Sequence, residues 1–337
     1  MRRTDDFPKT SHPSALTPHP FTPAWWCRGA HVQTLWPYLC RPRPKVALRR
    51  ERLELPDGDF LDLDWLATDA RGPIVLILHG LEGSSNSKYA LGMLQAAAAR
   101  GWRGVVMHFR GCSGEPNRLP RGYHSGETGD IAHVVAMLKA RDPQTRIAVV
   151  GYSLGGNVLL KWLGETRERA PIDAAAVVSV PFLLADSARR MEQGFSRIYQ
   201  WELVARLRRS IAAKRRRLEL PLRRTDLSGI WTFREFDEHV TAPLHGFAGA
   251  DDYYLQSSSR QYLKHIVTPT LVIHSSDDPF MAPETAPGRD ELSPAIEFEL
   301  YPCGGHVGFV SGTVPWRPSY WLEQRIPHFL ESQLTRR

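Results

Sequence analysis

Residues 146–165 read RIAVVGYSLGGNVLLKWLGE. Ile147 to Val150 is a short β-branched and apolar run, the pattern of a buried strand. From Asn157 to Gly164 the period changes to that of a helix, with Val158, Leu159, Trp162 and Leu163 on one side. Between them, Gly-Tyr-Ser-Leu-Gly reverses the chain within a few residues. Such a turn lifts its central residue above the sheet edge, beside a helix N-terminus where negative charge is stabilised. Ser153 is therefore a candidate nucleophile; the alternative is a small residue in a tight turn. The motif alone does not separate the two, and its partners must.

Outward from this stretch, strands and helices alternate. Ile74 to Leu78, Val105 to Phe109, Ala175 to Val180, Thr270 to His274 and Ile296 to Tyr301 read as further strands. Helices fall before Gly101 and over Ile131 to Ala140, and Asp130 is expected to cap the second. Apolar strands separated by helices make an α/β protein, a mostly parallel sheet covered on both faces. RLELPDGDFLDLDWLA, residues 52–67, alternates in two runs around a turn and adds an antiparallel hairpin at one edge. Residues 1–48 form a Pro- and Arg-rich arm. Residues 49–337 form the main domain, with a helical insert at about 183–245 expected to cap the sheet's C-terminal edge.

Bulk properties narrow the function. The chain has 337 residues, 42% hydrophobic and 23% charged, enough for a sizeable core. Its first residues lack an apolar h-region and no run of roughly 18 apolar residues occurs, so a cytoplasmic protein is expected. Cys27, Cys40, Cys112 and Cys303 show no metal-type spacing and are read as reduced thiols. The net charge of +7 is local: residues 206–224 hold nine Lys or Arg against Glu219, leaving 34 basic and 35 acidic residues elsewhere. That excludes a general nucleic-acid surface. In the insert that carries this segment, Val204, Leu207, Ile211 and Leu218 fall near one helical face. It reads either as a peripheral contact with anionic membrane or, preferably, as a cap helix docking its apolar stripe on the core.

A serine nucleophile needs a base and an orienting carboxylate. His306, in ELYPCGGHVGF past the last strand, is the favoured base; His274 closes a strand and His328 sits in a helix. In TLVIHSSDDPFMAP, Asp278 falls at the usual offset beyond the strand end and Asp277 is the alternative, suited to the turn. The backbone N–H of Leu154 follows the nucleophile, and that of Leu81 lies in HGLEGSSNSKYA after the first long parallel strand. These are the candidate oxyanion donors. Tyr123 and His124 are candidates for substrate contact. No phosphate-binding, dinucleotide-binding or zinc motif appears, and no metal or cofactor is called for.

The stretches AHVQTLWP, HGLEGSSNSKY, HFRGCSGEPNR, YHSGET, GYSLGGNVLLKWLGE, YYLQSSSRQYL, HSSDDPF and GGHVGF together resemble the YheT-like family of α/β-hydrolases. The likeness runs from about Trp25 to near the C-terminus, and its relatives include ABHD phospholipases and medium-chain ethyl ester synthases. The resemblance implies an α/β-hydrolase fold with Ser153, Asp278 and His306 at the triad positions. It implies a serine esterase acting on small-molecule or lipid-like acyl esters. Acyl transfer to an alcohol is the alternative chemistry, and a non-catalytic binding module a more distant one.

Overall fold

The structure is a computed structural model and describes residues 19–222 and 226–335. The first part of the arm and Arg223 and Arg224 of the basic segment lie outside the described residues.

Eight strands form one sheet: β1 (Leu48–Glu54), β2 (Phe60–Leu66), β3 (Ile74–Leu78), β4 (Arg103–Met107), β5 (Ile147–Tyr152), β6 (Ala174–Val178), β7 (Thr270–Ser275) and β8 (Ile296–Tyr301). Their order is β1-β2-β4-β3-β5-β6-β7-β8. The β1–β2 hairpin joins antiparallel, with Leu63 of β2 opposite Met107 of β4, and the remaining neighbours run parallel. Alternate residues of β3 serve opposite cores. Leu76 and Leu78 pack with Val149, Val158 and Leu159, while Val75 and Ile77 pack with Met93, Val150 and Ile326. A strand buried on both faces must be apolar throughout, which is why β3 shows no polar alternation.

The helices are α1 (Ala30–Leu39) in the arm, α2 (Lys88–Ala98), α3 (Gly129–Arg141) and α4 (Leu154–Thr166) around the sheet. Between β6 and β7 come α5 (Leu184–Met191), α6 (Ser196–Arg215), α7 (Phe233–Phe236), a π-helical turn (Asp237–Thr241), α8 (Ala242–His245) and α9 (Ala250–Ser257). A small β9 (Val310–Ser311) pairs with β10 (Ser319–Tyr320), and α10 (Leu322–Leu334) ends the described chain. On α6, Val204 and Leu207 are buried with Ile230, Phe236 and Val240, and Ile211 packs against them, whereas Leu218 of the expected stripe lies beyond the end of the helix at Arg215.

Two local expectations shift. Helix α4 begins at Leu154, ahead of the apolar periodicity at Asn157. Glycine is a poor helix former, so Gly155 and Gly156 hide the true start. Asp130 lies in the first turn of α3 without capping it, and its carboxylate instead pairs with the Arg110 guanidinium at 2.7 and 2.9 Å.

Candidate active site

Strand β5 delivers Ser153 onto a turn with φ 51° and ψ −119°, a conformation that costs a non-glycine residue about 1–3 kcal/mol. The surroundings enforce it. The Ser153 N–H donates to the Val178 carbonyl at 2.9 Å. A Cβ on Gly155 would lie 2.6 Å from the carbonyl oxygens of Leu78 and His79, and one on Gly151 2.7 Å from the Gly155 oxygen. The glycines on either side therefore let the turn sit directly on the end of β3.

The loop after β8 brings His306 to this turn. Its Nε2 lies 3.0 Å from Ser153 Oγ, and its Nδ1 lies 2.9 and 3.2 Å from the two oxygens of Asp278. An ionised carboxylate only accepts, so Nδ1 carries the proton and Nε2 is free to accept the serine hydroxyl. Asp278 is buried and also accepts the Phe280 N–H at 2.8 Å, while the Phe280 ring stacks on His306 with centroids 3.9 Å apart. Asp277 takes a different place: it accepts the Gly305 N–H at 2.9 Å, and burial raises its carboxyl above the ordinary value.

The histidine loop is held from four sides. Its His306 N–H donates to Thr34 Oγ1 at 2.9 Å and its Val307 N–H to Ser179 Oγ at 3.0 Å. Ser275 Oγ donates to the Gly305 carbonyl at 2.8 Å. Buried Gln33 clasps Val310 through both its N–H (2.7 Å) and its carbonyl (3.0 Å). Helix α1 thus packs against the loop: a Cβ on Gly308 would come 2.3 Å from the Gln33 carbonyl oxygen. The reading of the chain did not find Thr34, Gln33, Ser179 or Phe280. Gln33 and Thr34 lie in the motif AHVQTLWP and Phe280 ends the motif HSSDDPF, whereas Ser179 lies in none of the quoted motifs.

Leu81 and Leu154 both border the cavities at Ser153. Leu154 is the first residue of α4, where an N–H has no helical acceptor. For Leu81 the neighbouring peptide matters. The Gly80 carbonyl accepts from His79 Nδ1 at 2.7 Å and from the Gly83 N–H at 3.0 Å. His79 Nε2 accepts the Phe109 N–H at 3.2 Å, which fixes the tautomer, and burial pushes the imidazole down to about 3, keeping it neutral. Carbonyl and N–H of a trans peptide point in opposite directions, so the Leu81 N–H is turned away from His79. Gly80 itself approaches Ser153, its Cβ direction ending 3.3 Å from Ser153 Cβ.

Ser153 and His306 line two cavities. An inner chamber of about 140 Å³ lies under the cap, walled by Leu184, Met191, Leu207, Phe236 and Tyr254. Tyr123 and His124 also line it, and burial lowers His124 to about 3. An outer groove of about 540 Å³ runs between α1, residues 80–89 and α6, past Leu35, Tyr38, Phe195 and Tyr199. Away from both, His19, Glu297 and Glu299 cluster closely enough to ligate a cation, but Arg325 already pairs with both glutamates.

A family model described as alpha/beta hydrolase fold matches residues 73–313. The chain is 46% identical over 319 residues to the Escherichia coli (strain K12) protein named "Putative esterase YheT", covering 93% of this chain and 94% of that one. It is 28% identical over 327 residues to the Homo sapiens protein named "Phospholipase ABHD3", covering 93% and 79%. Among solved structures, the Pyrococcus furiosus esterase Pf2001 superposes with a TM-score of 0.56 at 17% identity, covering 86% of this chain and 94% of that one; at this identity the likeness is one of fold.

Proposed function

The chain belongs to the α/β-hydrolase family, and on that premise we propose that it is a carboxylic-ester hydrolase working through an acyl-enzyme on Ser153. The observation that carries the reading is the 3.0 Å approach of Ser153 Oγ to His306 Nε2, with Asp278 at 2.9 Å behind the ring. His306 Nε2 takes the hydroxyl proton as Oγ bonds to the ester carbonyl carbon. The carbonyl π electrons move to oxygen, and the N–H groups of Leu81 and Leu154 stabilise that oxyanion. Each such donor contributes about 10²–10³-fold in rate in comparable sites. As the intermediate collapses, the C–O bond to the alcohol breaks and His306 returns the proton to the leaving oxygen. Water, deprotonated by His306, then attacks the acyl carbon; the C–Oγ bond breaks as His306 returns the proton to Ser153 Oγ, and the carboxylic acid leaves. Asp278 holds the ring and stabilises its transient positive charge.

Cavity shape supports a short- to medium-chain acyl group. A dry cavity of about 150 Å³ takes a benzene-sized molecule, so the inner chamber of about 140 Å³ favours a chain of that bulk. The larger, mainly apolar groove leaves room for a bulkier alcohol portion, and an esterase-named and a phospholipase-named relative agree with ester or lipid-like substrates. The test compares wild type with Ser153→Ala on p-nitrophenyl esters of increasing acyl length. The variant should lose several orders of magnitude in kcat, and the wild type should show an optimum among the shorter chains. Undiminished turnover by a folded Ser153→Ala protein would overturn the mechanism.

A further inference from the structure

Among the described residues eleven large hydrophobic side chains are exposed, and six of them belong to two neighbouring stretches. Val32, Tyr38 and Leu39 lie on α1; Phe195, Ile198 and Trp201 follow one another at three-residue spacing into α6; all are 44–64% exposed. The two helices face each other across the outer groove. The His31 ring meets that of Phe195 at a tilt of 52° with centroids 4.6 Å apart, and Arg206 reaches Tyr38 Oη at 2.5 Å. Tyr38, Phe195 and Ile198 also line the outer groove, so half of the exposed set borders the entrance that leads to Ser153. Scattered exposed hydrophobes need no explanation, whereas a contiguous set rimming a cleft marks a contact surface.

Charge identifies the contact. From His19 to Arg43, the stretch that holds α1, there are three Arg and no Asp or Glu. Arg41 is taken by Glu323, while Arg28 just ahead of α1 and Arg43 just behind it stand exposed. Arg197 is exposed one turn before Trp201. Apolar and aromatic side chains flanked by cations match a bilayer of anionic lipid, where aromatic rings settle at the headgroup level and each Lys or Arg is attracted to the surface. A second copy of the same face would set these cations against one another, because a two-fold interface pairs a patch with itself.

We propose that α1 and the first turns of α6 form the face by which this protein docks on an anionic lipid bilayer, with the mouth of the outer groove against the lipid. This deepens the ester-hydrolase reading, for which the groove is the substrate entrance, and places the contact apart from the stripe of Val204 and Leu207, which is buried.

The experiment is sedimentation of the full chain with phosphatidylcholine vesicles containing or lacking phosphatidylglycerol. Wild type should bind the anionic vesicles at least tenfold better than the neutral ones. Leu39→Asp/Trp201→Asp should lose at least tenfold in vesicle affinity while hydrolysing a soluble p-nitrophenyl ester like wild type, since neither residue lines either cavity at Ser153. Leu255→Asp, an exposed hydrophobe on α9, should bind like wild type. Ser153→Ala should bind vesicles fully, which keeps failure of docking distinct from failure of the serine mechanism. No binding by wild type, equal binding by the double variant, or a dimer in light scattering that the double variant abolishes would each overturn the proposal.

Discussion

Thr34 acts on the site through a single hydroxyl. It donates to the Ala30 carbonyl at 2.7 Å, one turn earlier on α1, and accepts the His306 N–H at 2.9 Å. The hydroxyl therefore connects the helix to the peptide that carries the imidazole. Thr34→Val keeps the shape but leaves the His306 N–H without its acceptor, and a site that must hold reacting atoms near 3 Å responds steeply to small displacements. We expect kcat to fall by about tenfold with KM nearly unchanged, and Thr34→Ser to restore most of the loss. A general loss of folding would move both parameters and the melting temperature together, so steady-state kinetics beside a melting curve separates the two. Equal kcat in Thr34→Val would rule out this positioning role. Nothing in the neighbourhood of Thr34 or His306 in the sequence announces the pairing. Ser153 is legible from its own flanking glycines, because the strained turn makes a local demand on residue type.

At the scale of elements, the motif HFRGCSGEPNR is a tie between the edge hairpin and the parallel sheet. Arg110 bonds Asp57 at 2.7 Å and Asp59 at 3.0 Å in the β1–β2 turn, and reaches Asp130 on α3 with its other nitrogens. Asn117 and the Arg118 N–H complete the shell of Asp59 at 2.6 and 2.8 Å, and His108 contacts Asp64 of β2 at 2.8 Å. The Arg110, Asp59 and Asp130 side chains are at most 4% exposed. Removing the cation leaves two buried carboxylates without their partner, a change that costs about 3–5 kcal/mol when a buried pair is broken. Arg110→Met should lower the unfolding free energy by about that amount, read as a shifted urea midpoint, while the folded fraction keeps its kcat. A variant with the wild-type midpoint would show that the network is solvated in use. The strands were legible because burial on both faces demands continuous apolar runs. This network was not, since its aspartates sit in a hairpin that reads only as a turn and in a helix start that reads as a cap.

Across the whole molecule, three parts of the chain converge on one site: the sheet supplies Ser153 and Asp278, the cap walls the inner chamber, and the arm braces the loop of His306. The first is readable from periodicity and motif, since each residue sits at the end of its own strand. The cap is readable as helical and polar, but its chamber depends on how Leu184, Leu207 and Phe236 meet, which no local pattern encodes. The arm reads only as Pro- and Arg-rich chain, although its α1 buries Gln33 completely against Val310, 277 residues away. Such a contact predicts dependence of the site on a segment outside the matched family region of 73–313. A chain lacking residues 1–40 should retain α/β circular dichroism from the intact sheet yet lose about 100-fold or more in kcat/KM, the scale expected when a catalytic group is displaced by an ångström. Full-length Gln33→Ala covers the case in which the shortened chain fails to fold: it removes only the clasp on Val310 and should lower kcat/KM in the same direction by about tenfold. Wild-type kcat/KM in both proteins would mean that the loop holds His306 without the arm, and would reduce α1 to the wall of the groove.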